Sequence, residues 1–192
     1  MGSVATGVAG PALAIGEGSK LKIAQLRYAG NWDPRPRAPL VLAQEIRFRT
    51  SVDVRLQRAE IEPDSPGMFH YPFMIMLGDS RVRFSAKKRA SLKKWIEAGG
   101  FLFIDNSGQT EPSKAFDSSI RSELGAMFPG RELQKIPPTH VLFRTFYVLD
   151  FPAGRAIHAT WFEGLFLEDR LAVVYSQNDL TGALDRDRVG VW

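Results

Sequence analysis

The stretch from Tyr71 to Ser107 constrains the fold of this chain more than any other. It reads YPFMIMLGDS, then RVRFSAKKRASLKKWIEAGG, then FLFIDNS: two short apolar runs joined by a helical pattern. Phe73–Leu77 carries no polar alternation, as expected of a strand buried on both faces. Ser85 stands where a helix N-cap belongs, and Leu92, Trp95 and Ile96 form an apolar stripe at helical spacing. Gly99-Gly100 supplies the C-terminal stop. A strand, a helix and a strand in so short a span make a βαβ crossover, so the two strands should be parallel neighbours.

The flanking sequence extends this pattern. Lys22–Tyr28 predicts a first strand, stopped by Gly30-Asn31-Trp32-Asp33-Pro34. Leu40–Arg49 reads as a helix with Leu42 and Ile46 on one face. Val52, Val54 and Leu56 alternate with Asp53 and Arg55, which predicts a half-exposed edge strand, and 61–68 reads as a turn-rich connection. Beyond Ile104 a polar loop, 106–114, leads to a helix that Asp117 is expected to cap, with Ile120, Leu124, Met127 and Phe128 on its apolar side. Pro129-Gly130 ends it. The segment 141–149 has no clear period. Trp161–Leu167 and Leu171–Tyr175, joined by Glu168-Asp169-Arg170, predict a β-hairpin.

Alternating strands and helices place the chain in the α/β class, as a three-layer domain around a mostly parallel sheet with a C-terminal hairpin. Order 2-1-3-4 for the first four strands is the doubly wound arrangement. At 192 residues the chain suits one such domain, expected over 21–181, with a leader over 1–20 and a loosely packed tail over 182–192. The leader is small and glycine-rich, and Ala12-Leu13-Ala14 has the small-x-small form of an export-signal cleavage site. It reads either as a disordered leader or as the truncated end of an export signal, which would place the protein outside the cytoplasm.

Composition narrows the chemistry. With no cysteine there is no disulfide, no thiolate nucleophile and no cysteine-ligated metal. The 25 basic and 21 acidic side chains leave a net charge of only +4, weak support for nucleic-acid binding. No apolar run approaches a membrane span. Arg81, Arg83, Lys87, Lys88, Arg89, Lys93 and Lys94 form a basic cluster that reads as a solvated helix face, or as a contact for phosphate or an acidic partner. Aromatic side chains interleaved on that surface, as a nucleic-acid site would want, are missing.

In doubly wound sheets, ligands sit beyond the carboxyl ends of the strands. The polar turns expected there are Asn31-Trp32-Asp33, Gly78-Asp79-Ser80, Asp105-Asn106-Ser107 and Gln177-Asn178-Asp179. Such residues also dominate ordinary turns, so it is their convergence on one rim that would mark a site. Asn31, Trp32, Asp33, Asp79, Asp105, Asn106, Asn178 and Asp179 are thus the ligand-binding candidates. Trp32 is placed either for ligand stacking or for loop packing.

For catalysis the candidates are Asp79, Asp105, His140 and Ser80. Gly78-Asp79-Ser80 satisfies the first half of G-x-S-x-G, but Val82 stands at the second glycine and no Asp-x-x-His pair follows. Asp79 and Asp105 could instead divide acid and base roles, or serve as hard-cation ligands, though without calcium-loop spacing. His70, His140 and His158 lie far apart and outside any zinc motif. No metal and no cofactor is assigned.

The run YPFMIMLGD, the helix into WIEAGGFLFIDNS, and then AFDSSIRSEL, PPTHVLFRTFY and LAVVYSQNDL together resemble the bacterial domain-of-unknown-function family 4159, from about Leu21 to Asp179. That resemblance implies a class I glutamine amidotransferase-like, flavodoxin-like sheet and an exported or membrane-tethered setting, and it implies no activity. In amidotransferases the strand after this helix leads to an elbow bearing a catalytic cysteine followed by glycine. The corresponding turn here is Asp105-Asn106-Ser107-Gly108, so thiolate-based glutamine hydrolysis is excluded. The expectation is a noncatalytic domain binding a small molecule or an envelope protein, with a carboxylate hydrolase using Asp79, Asp105 and His140 or Ser80 as the alternative.

Overall fold

A computed structural model describes residues 17–185. The strands are β1 (Ile23–Leu26), β2 (Ala59–Ile61), β3 (Phe73–Gly78), β4 (Phe101–Asn106), β5 (Gln134–Lys135), β6 (Glu163–Leu167) and β7 (Arg170–Ser176). They form one mixed sheet in the order β2-β1-β3-β4-β7-β6-β5. β2, β1, β3, β4 and β7 run parallel, and β6 pairs antiparallel with both β7 and β5. The helices are α1 (Ala38–Arg49), α2 (Ala86–Glu97), α3 (Lys114–Met127) and α4 (Leu180–Leu184).

The pleat sends alternate side chains to opposite faces, and the core divides accordingly. Met74, Met76, Leu102 and Ile104 meet Leu92, Trp95 and Ile96 of α2 and Phe116, Ile120 and Leu124 of α3. On the other face Ile23, Ile75 and Leu77 pack with Ala43 of α1 and Val54. Farther along that face Val174 packs against Ile136, Phe143 and Phe162, so a long irregular connection does the work of a helix there. Burying an apolar side chain of this size contributes roughly 1.5–3 kcal/mol, so the α2 stripe alone anchors its helix.

Ser85 caps α2, its Oγ accepting from Lys88 N at 3.2 Å. Past the helix, Gly99 takes φ +107°, a conformation that L side chains rarely adopt. Four of the seven cluster residues form ion pairs within the fold: Lys87–Asp64, Lys88–Glu62, Arg89–Glu123 and Lys93–Glu97.

Three expectations are corrected. The edge strand expected at 52–56 is only a single parallel bridge between Leu21 and Val54; β2 lies later, where Ala59–Ile61 pairs with Ala24–Leu26. Helix α3 is capped by Ser113, which accepts from Phe116 N, and Asp117 sits inside its first turn. Residues 182–185 are not a loose tail. α4 packs on α1, Thr181 and Gly182 are buried, and Asp185 accepts from Arg37 N at 3.0 Å, capping α1 from the far end of the chain. Of the leader expected over 1–20, Glu17–Ser19 forms a short 3-10 turn, while 1–16 and the 186–192 part of the expected tail lie outside the described residues.

Candidate functional site at the carboxyl rim

Parallel register aligns the carboxyl ends of three central strands: Gly78 lies opposite Asn106, and Asp105 opposite Ser176. Asp79 and Asp105 therefore leave the sheet at the same rim. The rim is tight at Gly78, where an added Cβ would fall 2.2 Å from Tyr28 Oη and 2.3 Å from the Phe116 ring. Tyr28 Oη donates to Leu77 O at 2.6 Å, and burial raises its pKa above the ordinary tyrosine value.

Where strand order reverses, between β1 and β3, the rim closes on itself. Asn31 Nδ2 donates to Asp79 Oδ2 at 2.9 Å, and Asn31 N to Ser80 Oγ at 3.3 Å. Buried Gln25 donates to Trp32 O and to Asp33 Oδ1, Asp33 pairs with Arg58, and the Arg58 guanidinium lies 5.5 Å over the Trp32 ring. Trp32 is thus engaged in loop packing.

The elbow after β4 is richer. Asp105 is fully buried; its Oδ2 accepts from Thr181 N at 2.8 Å and from Thr181 Oγ1 at 2.6 Å, while Oδ1 has no hydrogen-bond partner among the described residues. Burial pushes its pKa up to about 6, opposed by the Thr181 bonds and assisted by the nearby charge of Asp179. Asn106 uses both ends of its amide: Nδ2 donates to Ser113 O and Gln177 Oε1, and Oδ1 accepts from Ser113 N and Gly108 N. This side chain holds the loop 107–113 at both Gly108 and Ser113.

Asn178 does the same for 152–159. Its Oδ1 accepts from His158 N and Ala159 N, and its Nδ2 donates to Pro152 O and Ala159 O. Asp179, 1% exposed and at φ +48°, is gripped by both Arg35 and Arg155 and accepts from Gly182 N. Arg155 also donates to Gly108 O and Gln109 O, tying the elbow to the loop that carries it.

Two cavities open on either side of this elbow. One, about 490 Å³, is lined by Arg35, Gln109, Thr110, Arg155, Gly182 and Asp185. The other, about 410 Å³, lies against α3, β5, β6 and the end of β7, and its lining includes Glu111, Asp117, Arg121, Lys135, His158, Trp161, Glu163 and Gln177. A polar chain runs into the second from the elbow. Asn106 donates to Gln177, Gln177 donates to Asp117 at 2.7 Å, and Arg121 bridges Asp117 and Glu163. Those two carboxylates hold the Arg121 pKa well above its ordinary value.

The structure therefore gathers Asp105, Asn106, Asn178 and Asp179 about one elbow and sets Asn31, Trp32, Asp33, Asp79 and Ser80 in the adjoining crevice. His140 is not brought there. It caps a short turn through Nδ1 and meets Phe166 edge-on at 6.0 Å. Phe166 pairs with Leu171, five residues from Ser176, so His140 sits roughly 16 Å along the strand from the rim. Ser80 Oγ has no histidine or carboxylate bonded to it among the described residues. Sequence reasoning missed Arg35, Arg155, Arg121, His158 and Trp161. Arg35 and Arg155 lie in loops and find their partner Asp179 far along the chain, and Arg121 reads locally as an ordinary i,i+4 helix pair with Asp117 until β6 brings Glu163 beside it.

Among the described residues no group of three or more histidine, aspartate or glutamate side chains could hold a metal ion, and no helix is long and apolar enough to cross a membrane. A separate surface feature is the segment after Phe143. Phe146, Tyr147 and Val148 are 57%, 52% and 75% exposed, with Leu149, Phe151 and Ile157 also exposed nearby in the chain. Arg49 of α1 reaches Tyr147 Oη, beside the exposed Phe48. No curated protein matches the chain. The family model for the domain of unknown function DUF4159 matches residues 22–192, nearly the whole chain, and the protein belongs to that family.

Proposed function

We propose that this chain is a noncatalytic binding domain of the amidotransferase-like, flavodoxin-like type, taking up a small polar ligand at the carboxyl rim of its sheet. The observation that carries the reading is the pair of open cavities on either side of a polar elbow whose own side chains are spent on holding backbone. At the place where an amidotransferase bears its cysteine, the chain has Asp105-Asn106-Ser107. Among the described residues Ser80 Oγ has no base bonded to it, Asp105 is clasped by Thr181 and His140 lies far along β6, which favours binding over the alternative of a hydrolase. A bacterial-envelope setting belongs to the same proposal and rests on Ala12-Leu13-Ala14 and on the family resemblance.

A thermal-shift screen of small polar metabolites against the full chain tests it. At least one compound should raise the melting temperature, and the shift should disappear in Arg155→Ala or Gln177→Ala. Turnover in an esterase or glycosidase panel, lost on Ser80→Ala or Asp105→Asn, would replace this reading with the hydrolase.

A second reading has one observation in its favour: the exposed apolar run from Phe146 to Phe151. Apolar surface of this density marks a contact with a protein partner. Under it, Val148→Asp should abolish co-purification of a partner while leaving the unfolding free energy within about 0.5 kcal/mol of wild type.

A further inference from the structure

The cavity beside α3 has features that the opposite cavity lacks, and they specify a ligand chemistry. We infer that the cleft between Trp161 and the Asp117–Arg121–Glu163 network binds a neutral pyranose sugar, an inference that rests on the rim-binding reading above. Trp161 is 37% exposed and forms one wall. An indole face is electron-rich, and it attracts the weakly positive C–H face of a pyranose while shedding water.

The rest of the lining includes planar polar groups. Arg121 donates to both oxygens of Glu163 and to Asp117, Gln177 donates to Asp117, and Asn106 holds Gln177 in turn. Each carboxylate keeps unused lone pairs, and the Gln177 amide keeps a second N–H. Acceptors and donors thus stand side by side and already oriented, the arrangement that engages adjacent hydroxyls, each of which both donates and accepts.

Charge argues against an ionic ligand. The lining carries three acids (Glu111, Asp117, Glu163) and three bases (Lys114, Arg121, Lys135), so no net field selects an anion or a cation. The volume, about 410 Å³, falls within the ordinary range for small-ligand sites. Lys135 Nζ lies 3.5 Å from the Trp161 ring centroid, on the exposed two-residue β5. It is the movable member that the sugar displaces, since an exposed cation–π contact is weak.

The test is a saturation-transfer NMR and calorimetric titration of the full chain with glucose, galactose, mannose, N-acetylglucosamine, maltose and cellobiose. Glucuronate and inorganic phosphate serve as charged controls. The inference expects at least one neutral sugar to bind with its ring protons against an aromatic group. Trp161→Ala should weaken it tenfold or more, Trp161→Phe should retain part of the affinity, and both variants should melt as wild type. Lys135→Ala should leave the affinity unchanged or improve it. Binding by the charged controls alone, with loss in Lys135→Ala, overturns the neutral-sugar assignment while leaving rim binding intact. So does a metabolite that binds in the opposite cavity and is lost only in Arg155→Ala. Silence from every sugar up to 50 mM (roughly −2 kcal/mol of binding at most) overturns the inference as well; silence from the metabolite screen also removes the reading beneath it.

Discussion

Asp105→Asn separates the cost of burying a charge from the value of the bonds that hold it. In the folded chain burial raises the Asp105 pKa from 3.8 to about 6. Between those values the native state holds a proton that the unfolded state has lost, so stability falls as pH rises through the interval and levels off above the folded pKa. A shift of about 2 units corresponds to about 3 kcal/mol. The asparagine variant keeps an oxygen for Thr181 N and does not titrate, but it places an amide N–H where Oδ1 has no partner, at a cost of about 1–3 kcal/mol that does not vary with pH. Urea unfolding of both proteins from pH 4 to pH 8 isolates the titrating part. The stability of wild type minus that of Asp105→Asn should drop by roughly 2–2.5 kcal/mol between pH 4 and pH 7 and stay flat above. A difference curve that is flat throughout, or that rises with pH, would refute the account of a desolvated carboxylate clasped by Thr181.

Other substitutions probe the frame around the rim. Gly78→Ala forces a Cβ onto Tyr28 Oη and the Phe116 ring and should cost about 2–4 kcal/mol by chemical denaturation, whereas Gly125→Ala, on α3 with nothing within 4 Å, should stabilise by about 0.5–1 kcal/mol. Asp179→Ala leaves Arg35 and Arg155 facing each other without their shared anion; a loss of about 3–5 kcal/mol is expected, and a loss below about 1 kcal/mol would make the cluster ornamental. Asn178→Ala removes four of the bonds that hold 152–159, so limited proteolysis should begin cutting there while the β3–β4 core stays protected in hydrogen exchange.

Local pattern made the centre of the fold legible. The βαβ unit from Phe73 to Asn106 and the closing hairpin follow from apolar runs and breakers near one another in the chain, while the 2-1-3-4 order comes from the doubly wound pattern and holds with its second strand moved from 52–56 to 59–61. The misreadings share a cause in distant pairing. β2 is three residues, Ala59-Glu60-Ile61, too short to show alternation, and only the ladder with β1 makes it a strand. α4 looked like tail because its anchors, Arg35 and Arg37, lie nearly the length of the chain away. At the rim, carboxylates and amides after strands were visible as turn residues, and the structure does bring Asp105, Asn106, Asn178 and Asp179 together. The arginines that complete the elbow, and Trp161 on the cleft wall, became recognisable only when folding set their partners beside them.

The most direct test of rim binding without chemistry is a map of backbone amide shifts in ¹⁵N-labelled protein, titrated with the metabolite that most raises the melting temperature, while that compound's own signals are followed over a day. The account predicts shifts confined to the lining of one rim cavity, either 111–121, Lys135, 158–163 and Gln177 or Arg35, 109–110, Arg155 and 182–185, with the compound recovered intact. Shifts centred on 146–151 or on the basic face of α2, or conversion of the compound into product, would contradict it.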